Sequence, residues 1–258
     1  NSELLVPSND NLWHLANQLR DNGIATVRYD KFGVGESTPT DRAPLSSATF
    51  DHYVEDAALW LTYMQEHLMV SQIGAIGHSE GSLIALLAAQ KVPIDMVISV
   101  AGNGDRIDEQ MVKQIARMNP VAADTLRIRF DQIAASHYEL TGNLMVDTLV
   151  PLGQELYLET WMQYDPTAVL RTMTAPVLVI WGDRDERLVQ QDDLFSQQDM
   201  GPHITFVEVQ DMGHMLRRAT NDADLRRGYT DRTMQLHEDF LAEVIQFIRQ
   251  YAETGGRP

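Results

Sequence analysis

The sequence predicts an α/β fold with a mostly parallel sheet flanked by helices. Short strand-like runs alternate with amphipathic helical segments along most of the chain, a rhythm typical of parallel sheets. Two of the runs, Ile94–Val100 and Pro176–Trp181, are so rich in branched apolar residues that they fit buried central strands. With 258 residues, 44% of them hydrophobic, the chain can bury about three quarters of its unfolded surface.

The chain opens with a predicted helix followed by a predicted strand. Apolar residues recur at helical spacing over 12–19, behind Asn9 and Asp10 as candidate N-caps. Gly23 is expected to end this helix, and Ile24–Tyr29 to form an early strand.

Five further elements extend the same pattern. Tyr53–Met64 predicts a second amphipathic helix, Gln72–Ile76 the next strand, and Leu83–Ala89 a helix that is apolar nearly all round. A helix of that kind is normally buried in the middle of a fold. His203–Val209 is expected to be the last strand, and Leu236–Tyr251 a closing amphipathic helix.

The alternation breaks between Ala101 and Arg171, where about seventy residues are helical in pattern. An insertion of that length between two strands is usually a subdomain or lid. We therefore expect a core over 1–103, a helical lid over 104–171 inserted after the strand that ends near Ala101, and the rest of the core over 172–258. The methionines and aromatic residues of the insertion are expected to form its own core, with the lining of an apolar substrate pocket as the alternative.

Charge and composition exclude several classes of function. The 20 basic and 37 acidic residues give a net charge of −17, which repels phosphate backbones and anionic membrane surfaces. The absence of cysteine removes disulfides, thiolate nucleophiles and cysteine metal sites. The longest apolar runs, such as Ala175–Trp181, are far shorter than the roughly 20 residues that a membrane-spanning helix needs.

One motif carries a specific chemistry. Gly77-His-Ser-Glu-Gly81 lies between a predicted strand and a predicted helix, which is the context that a nucleophilic serine needs. A tight strand-to-helix turn exposes Ser79, and we expect the two glycines to let the chain bend without Cβ clashes. The N-terminus of the following helix favours negative charge on an attacked carbonyl oxygen.

A serine nucleophile needs a general base. Of the eight histidines, His214 lies in a loop directly after the last predicted strand, behind a glycine. His78, inside the serine motif, is expected to be a packing or oxyanion-side neighbour. The remaining six start the last strand, fall in predicted helices or have no motif around them, so His214 is the candidate base.

The base in turn needs a carboxylate to set its tautomer. Asp185 and Asp183 both follow the strand that ends at Trp181, and Asp185 is preferred because it lies deeper in the loop. Asp105, after another strand, is a third option. The order Ser79, Asp185, His214 is the chain order expected when all three residues lie on loops at the carboxyl edge of such a sheet.

Taken together, these motifs resemble the α/β-hydrolase serine hydrolases, notably bacterial esterases and lipases. Gly77–Gly81 is similar to their nucleophile elbow, Trp181–Asp185 to their acid loop, and Gly213-His214 to their histidine loop. Arg28–Ser37 is similar to a glycine-rich stretch that follows an early strand of the family. The resemblance covers almost the whole chain and implies an α/β-hydrolase fold with a helical cap between residues 104 and 170.

The chain departs from this family at its front. Members normally begin with two or more strands and a His-Gly loop that donates a second hydrogen bond to the oxyanion, whereas Asn1 stands just before the first helix. The Glu80 N–H can supply one donor; loss of the other typically lowers turnover by about 10²–10³. We therefore expect the natural chain to be longer. The visible sequence predicts a cytoplasmic protein, and an upstream leader would instead make it secreted or periplasmic.

The expected activity is hydrolysis of small carboxylic esters, without a cofactor or metal. Ser79 would attack the acyl carbonyl, and a serine there argues against chemistry that uses an aspartate nucleophile. Thioesterase, amidase or aminopeptidase and C–C hydrolase activities are alternatives, as is a non-catalytic ligand-binding protein on the same scaffold. An aminopeptidase would need carboxylates for the substrate amine. Candidates are Glu109, Glu139, Glu155 and Glu159, for which solvated helix faces are the preferred interpretation.

Overall fold

A parallel sheet with helices on both faces forms the centre of the molecule. The computed structural model describes residues 10–40, 44–188 and 200–254. Within them the strands are β1 (Gly74–His78), β2 (Met96–Val100), β3 (Val177–Gly182) and β4 (Ile204–Val209), in the order β1-β2-β3-β4. Every neighbouring pair is parallel, which confirms the predicted α/β class.

The helices surround this sheet and fill the long connection between β2 and β3. They are α1 (Asn11–Asp21), α2 (Phe50–His67), α3 (Glu80–Lys91), α4 (Ile107–Ala116), α5 (Pro120–Ala134), α6 (Leu144–Leu149), α7 (Glu155–Trp161), α8 (Pro166–Arg171), α9 (Asp222–Thr230) and α10 (Glu238–Thr254). No helix in the described ranges is both long and apolar enough to cross a membrane.

Burial explains why β2 and β3 are the central strands. Every residue of both strands is buried, as expected for runs covered on two faces. On one face, side chains such as Ile98 and Ile180 pack against α1 and α10. On the other face, side chains such as Val97 and Val179 pack against α2, α3 and α8. Because neighbouring strands are parallel, the carboxyl ends of β1–β4 lie at one edge of the sheet.

The predicted early strand Ile24–Tyr29 does not form. Among the described residues the segment has no strand partner, and a cavity of about 250 Å³ is lined by Val27 and Tyr29 on one side and by Gly74–His78 on the other. A ladder needs a neighbouring backbone about 4.8 Å away. The β-branched pattern of the segment is therefore not enough, because a cavity and not a paired strand separates it from β1 within the part of the chain that the structure describes.

The two predicted caps of α1 have different outcomes. Asn9 lies outside the described residues. Asp10 has a left-handed conformation with φ 58° and makes no side-chain capping hydrogen bond. Its carboxylate instead lies 3.5 Å from the Arg232 guanidinium.

Helices α4–α8, called the insert below, have a hydrophobic cluster of their own. The cluster includes Met111, Phe130, Met145, Trp161 and Met162. This placement agrees with the expectation that methionines and aromatic residues of the region pack on one another, although Met118 is exposed and lies outside the cluster. The ring of Phe50, the first residue of α2, stacks on Trp161 with centroids 5.1 Å apart and so joins the insert to the sheet layer.

A buried ion pair crosses the insert. Arg129 of α5 is fully buried and donates to the Glu155 carboxylate of α7 at 3.0 Å. A desolvated charge that loses its partner is strongly destabilising, whereas an exposed pair contributes little. The exposed neighbouring pair of Arg127 and Asp124 on α5 offers a comparison within the same helix.

We expect Glu155→Ala to lower the free energy of unfolding by about 3–5 kcal/mol, because Arg129 would remain buried without a counter-charge. Asp124→Ala should change it by less than about 1 kcal/mol. Urea unfolding followed by circular dichroism measures both. Equal losses in the two variants would show that burial of the Arg129–Glu155 pair has no energetic consequence.

Candidate active site

The turn between β1 and α3 presents Ser79 in a strained conformation. Ser79 has φ 56° and ψ −120°, a region that non-glycine residues rarely adopt and that typically costs about 1–3 kcal/mol. Its N–H donates to the Val100 carbonyl at 2.8 Å, which fixes the turn to the end of β2. A sharp turn of this kind lifts a serine hydroxyl clear of the sheet edge.

The two glycines of the motif have different roles. A Cβ on Gly77 would lie 1.9 Å from the carbonyl oxygen of Gly81, so only glycine allows this close approach. A Cβ on Gly81 would meet nothing within 4 Å. The expectation that both glycines prevent clashes is therefore wrong for Gly81, because this residue already lies in the open first turn of α3.

The loops after β3 and β4 are held together by a close backbone contact. A Cβ on Gly182 would lie 1.9 Å from the Met212 carbonyl oxygen, and the Arg184 N–H donates to that same oxygen at 3.1 Å. Gly182 is the last residue of β3, and Met212 comes two residues before His214. The acid loop and the histidine loop therefore contact each other through their backbones.

This contact brings Asp185 and His214 together. Nδ1 of His214 lies 2.9 Å and 3.0 Å from the two carboxylate oxygens of Asp185, and both residues are buried. The Arg187 N–H also donates to Asp185 Oδ1, at 2.9 Å. A carboxylate at Nδ1 keeps the proton on that nitrogen and leaves Nε2 free to accept one.

The other two candidate acids have different environments. Asp183 is exposed, and its N–H donates to the Val209 carbonyl at the end of β4. Asp105 forms an ion pair with Lys113 of α4. Of the three carboxylates considered from the sequence, the structure places Asp185 against His214.

His78 links the serine turn to the histidine loop. Its Nε2 lies 2.8 Å from the His214 carbonyl oxygen, and the two rings are 5.0 Å apart. Burial, helped by the nearby His214 ring, lowers the pKa of His78 to about 4. A neutral His78 therefore ties the residue before Ser79 to the backbone of His214.

The side chain of Glu80, which directly follows Ser79, lies beside Lys31 and Tyr157. Lys31 Nζ lies 2.9 Å and 3.0 Å from its two carboxylate oxygens. Burial raises the pKa of Tyr157 on α7 well above its usual value, and the adjacent Glu80 carboxylate raises it further. As the first residue of α3, Glu80 also has a backbone N–H without an acceptor inside the helix.

The loop that carries Lys31 is compact. Asp30 accepts the Glu36 N–H at 3.0 Å, and its carbonyl accepts the Ser37 hydroxyl at 2.7 Å. A Cβ on Gly35, which has φ 57°, would lie 2.0 Å from the Asp30 carboxylate. The glycine-rich stretch therefore folds back on Asp30 and fixes the backbone of Lys31 beside α3.

Other histidine side chains mostly bond to backbone groups. Ring nitrogens of His14, His67 and His203 lie within hydrogen-bond distance of carbonyl oxygens, and His52 caps α2. Across residues 10–40, 44–188 and 200–254, no group of three or more metal-binding side chains is present. The sequence reasoning missed Lys31, one of only three lysines in this acidic chain, because its partner Glu80 lies 49 residues away.

We expect Gly77→Ala to lower the free energy of unfolding by about 3 kcal/mol or more, since the new methyl group meets backbone rather than a movable side chain. Gly81→Ala should stabilise the protein by roughly 0.5–1 kcal/mol, because it places alanine in a helix with free space around it. Thermal and urea unfolding of both variants provide the measurement. A stable Gly77→Ala protein would contradict the close approach to the Gly81 carbonyl.

His78 should make stability depend on pH. Its pKa in the folded protein, about 4, is below the unfolded value near 6.5, so the unfolded state binds more protons between these values. Stability is therefore lost as the pH falls from 7 to 5, by about 2 kcal/mol from this group. His78→Gln, which keeps a hydrogen-bond donor but does not titrate, should show a flatter profile in urea unfolding at the two pH values. An unchanged profile would rule out His78 as the source.

The comparisons with known proteins concern the family and the fold of the chain. Residues 8–218 match the family described as "Serine aminopeptidase, S33". Esterase EstD of Thermotoga maritima is 21% identical over an alignment of 233 positions, which covers 84% of this chain and 53% of that protein. The chain thus spans about half the length of this curated relative.

Solved structures share the fold. Est1E from Butyrivibrio proteoclasticus with bound ferulic acid superposes with a TM-score of 0.59 at 19% identity, covering 95% of this chain and 84% of that one. Proline iminopeptidase from Mycobacterium smegmatis gives 0.56 at 16% identity, covering 96% and 87%. The fold is that of the α/β hydrolases, and the match over most of its length shows that the chain belongs to the S33 serine aminopeptidase family.

Proposed function

We propose that this chain is a serine hydrolase that cleaves carboxylic esters through an acyl-enzyme. The observation that carries the proposal is the buried Asp185–His214 pair on loops adjacent to the strained Ser79 turn. An esterase relative and an esterase with bound ferulic acid support the ester as the substrate class. The net charge of −17 favours neutral esters over strongly anionic ones.

Each residue has one role in this proposal. Ser79 attacks the acyl carbonyl while His214 Nε2 takes the hydroxyl proton and then gives it to the leaving alcohol. Asp185 holds His214 in the required tautomer and stabilises the imidazolium that forms. The Glu80 N–H donates to the oxyanion, and water activated by His214 releases the acid. The helices of residues 104–171 act as a lid over this site.

An aminopeptidase on the same residues is the second candidate, favoured by the family description and by the proline iminopeptidase relative. Two carboxylates considered for binding a substrate amine already have partners within the insert. Glu155 pairs with the buried Arg129, and Glu159 accepts from Ser136 and Tyr138. These contacts count against Glu155 and Glu159 as binders of a substrate amine and leave the exposed Glu109 and Glu139 for that role.

We expect a fluorophosphonate probe to label the native protein and not Ser79→Ala. Asp185→Asn should lower kcat by about 10⁴, because histidine would adopt the wrong tautomer. Asp183→Asn, in the same loop but exposed, should stay close to the unaltered protein. The measurement is hydrolysis of p-nitrophenyl esters of increasing chain length beside an aminoacyl anilide.

Two results would change the assignment. A folded native protein that is neither labelled nor active would favour the non-catalytic ligand-binding alternative. Faster turnover of the anilide than of every ester would favour the aminopeptidase.

A further inference from the structure

Two glutamines of the insert hold the peptide that follows the acid loop. The side-chain amides of Gln110 and Gln114 both donate to the backbone carbonyl of Arg187. Residues four apart lie on one face of a helix, and a carbonyl oxygen has two lone pairs, so both bonds form together. Helix α4 is thereby bonded to the loop that carries Asp185.

The backbone of Arg187 also contacts the Asp185 carboxylate. The Arg187 N–H donates to Asp185 Oδ1 at 2.9 Å, and that carboxylate accepts from His214 Nδ1. The route from α4 to the imidazole therefore consists of three hydrogen-bonding steps, through the Arg187 backbone and the Asp185 carboxylate. Gln110, Asp185 and His214 are buried, where hydrogen bonds are least weakened by water, whereas the side chain of Arg187 between them is exposed.

The environment of Gln110 indicates that its amide N–H donor, and not its amide oxygen, has the structural role. The side chain is 1% exposed, yet its Oε1 has no hydrogen-bond partner among the described residues. A buried amide with an unsatisfied acceptor is uncommon and needs an explanation. The bond from its Nε2 to Arg187 supplies one, because it fixes the amide in this orientation.

A second contact keeps α4 in register with this loop. Lys113, on the turn between the two glutamines, forms an ion pair with the buried Asp105 at the end of the β2 loop. The helix is thus attached both to the loop after β2 and to the loop after β3. Any displacement of α4 away from the sheet edge would release the Arg187 peptide.

We propose that Gln110 and Gln114 are positioning residues, through which helix α4 of the insert orients Asp185 against His214. This inference rests on the proposed function, in which that pair is part of the catalytic triad. Docking of the insert and assembly of the triad then become one event. A movement of the lid that displaces α4 would also change the hydrogen bonding between Asp185 and His214.

The test uses a double variant, Gln110→Met with Gln114→Met, which keeps side-chain length and helix preference but removes both donors. Arg117→Ala, exposed at the C-terminal end of α4, is the matched control. One readout is the downfield proton resonance of His214 Nδ1–H, assigned by its absence in His214→Gln. The other is ester hydrolysis per active site, counted by fluorophosphonate labelling.

We expect the resonance to broaden or move upfield in the double variant, with kcat lower by about 10- to 100-fold and KM unchanged. An unchanged resonance would overturn the proposal, even if kcat fell through general destabilisation. If the double variant does not fold, the two single variants are measured, and native resonances in both would also overturn it. A native protein without hydrolytic activity would refute the proposed function, while the resonance would still decide the role of the glutamines.

Discussion

The candidate site depends on one close backbone approach, that of Gly182 to the Met212 carbonyl oxygen. There is no room for a side chain at that point, since a Cβ would lie 1.9 Å from the oxygen. The approach joins the loops after two neighbouring strands, β3 and β4, which run parallel and end at the same sheet edge. Asp185 and His214 then meet within 3 Å although they are 29 residues apart in the chain.

The serine turn uses a similar close approach at the end of β1, which β2 separates from β3. Gly77 approaches the Gly81 carbonyl closely, and Ser79 between them has a positive φ of 56°. The bond from the Ser79 N–H to Val100 and the contact of His78 with the His214 backbone stabilise this strained turn from two sides. Strain of this kind persists only where the surrounding structure over-determines it.

The chain is strongly acidic, but several carboxylates close to the site form ion pairs with basic side chains. Glu80 follows the candidate nucleophile and would disfavour negative charge nearby, but Lys31 lies against both its oxygens. The insert buries Arg129 against Glu155, and α4 uses Lys113 against Asp105. Two of the three lysines in the chain thus neutralise carboxylates near the sheet edge.

The sequence by itself determined the fold class, most of the elements and the residues worth considering. Branched apolar runs need burial on two faces, and a glycine-flanked serine between strand and helix needs a tight turn, so both patterns could be interpreted locally. Only the tertiary structure decided which carboxylate meets His214, that Gly81 has free space, and that Ile24–Tyr29 forms no strand. Those outcomes depend on distances between segments far apart in the chain. Hydrogen bonds such as those of Lys31, Gln110 and Gln114 likewise have no local signal, because each partner is brought in by the packing of another element.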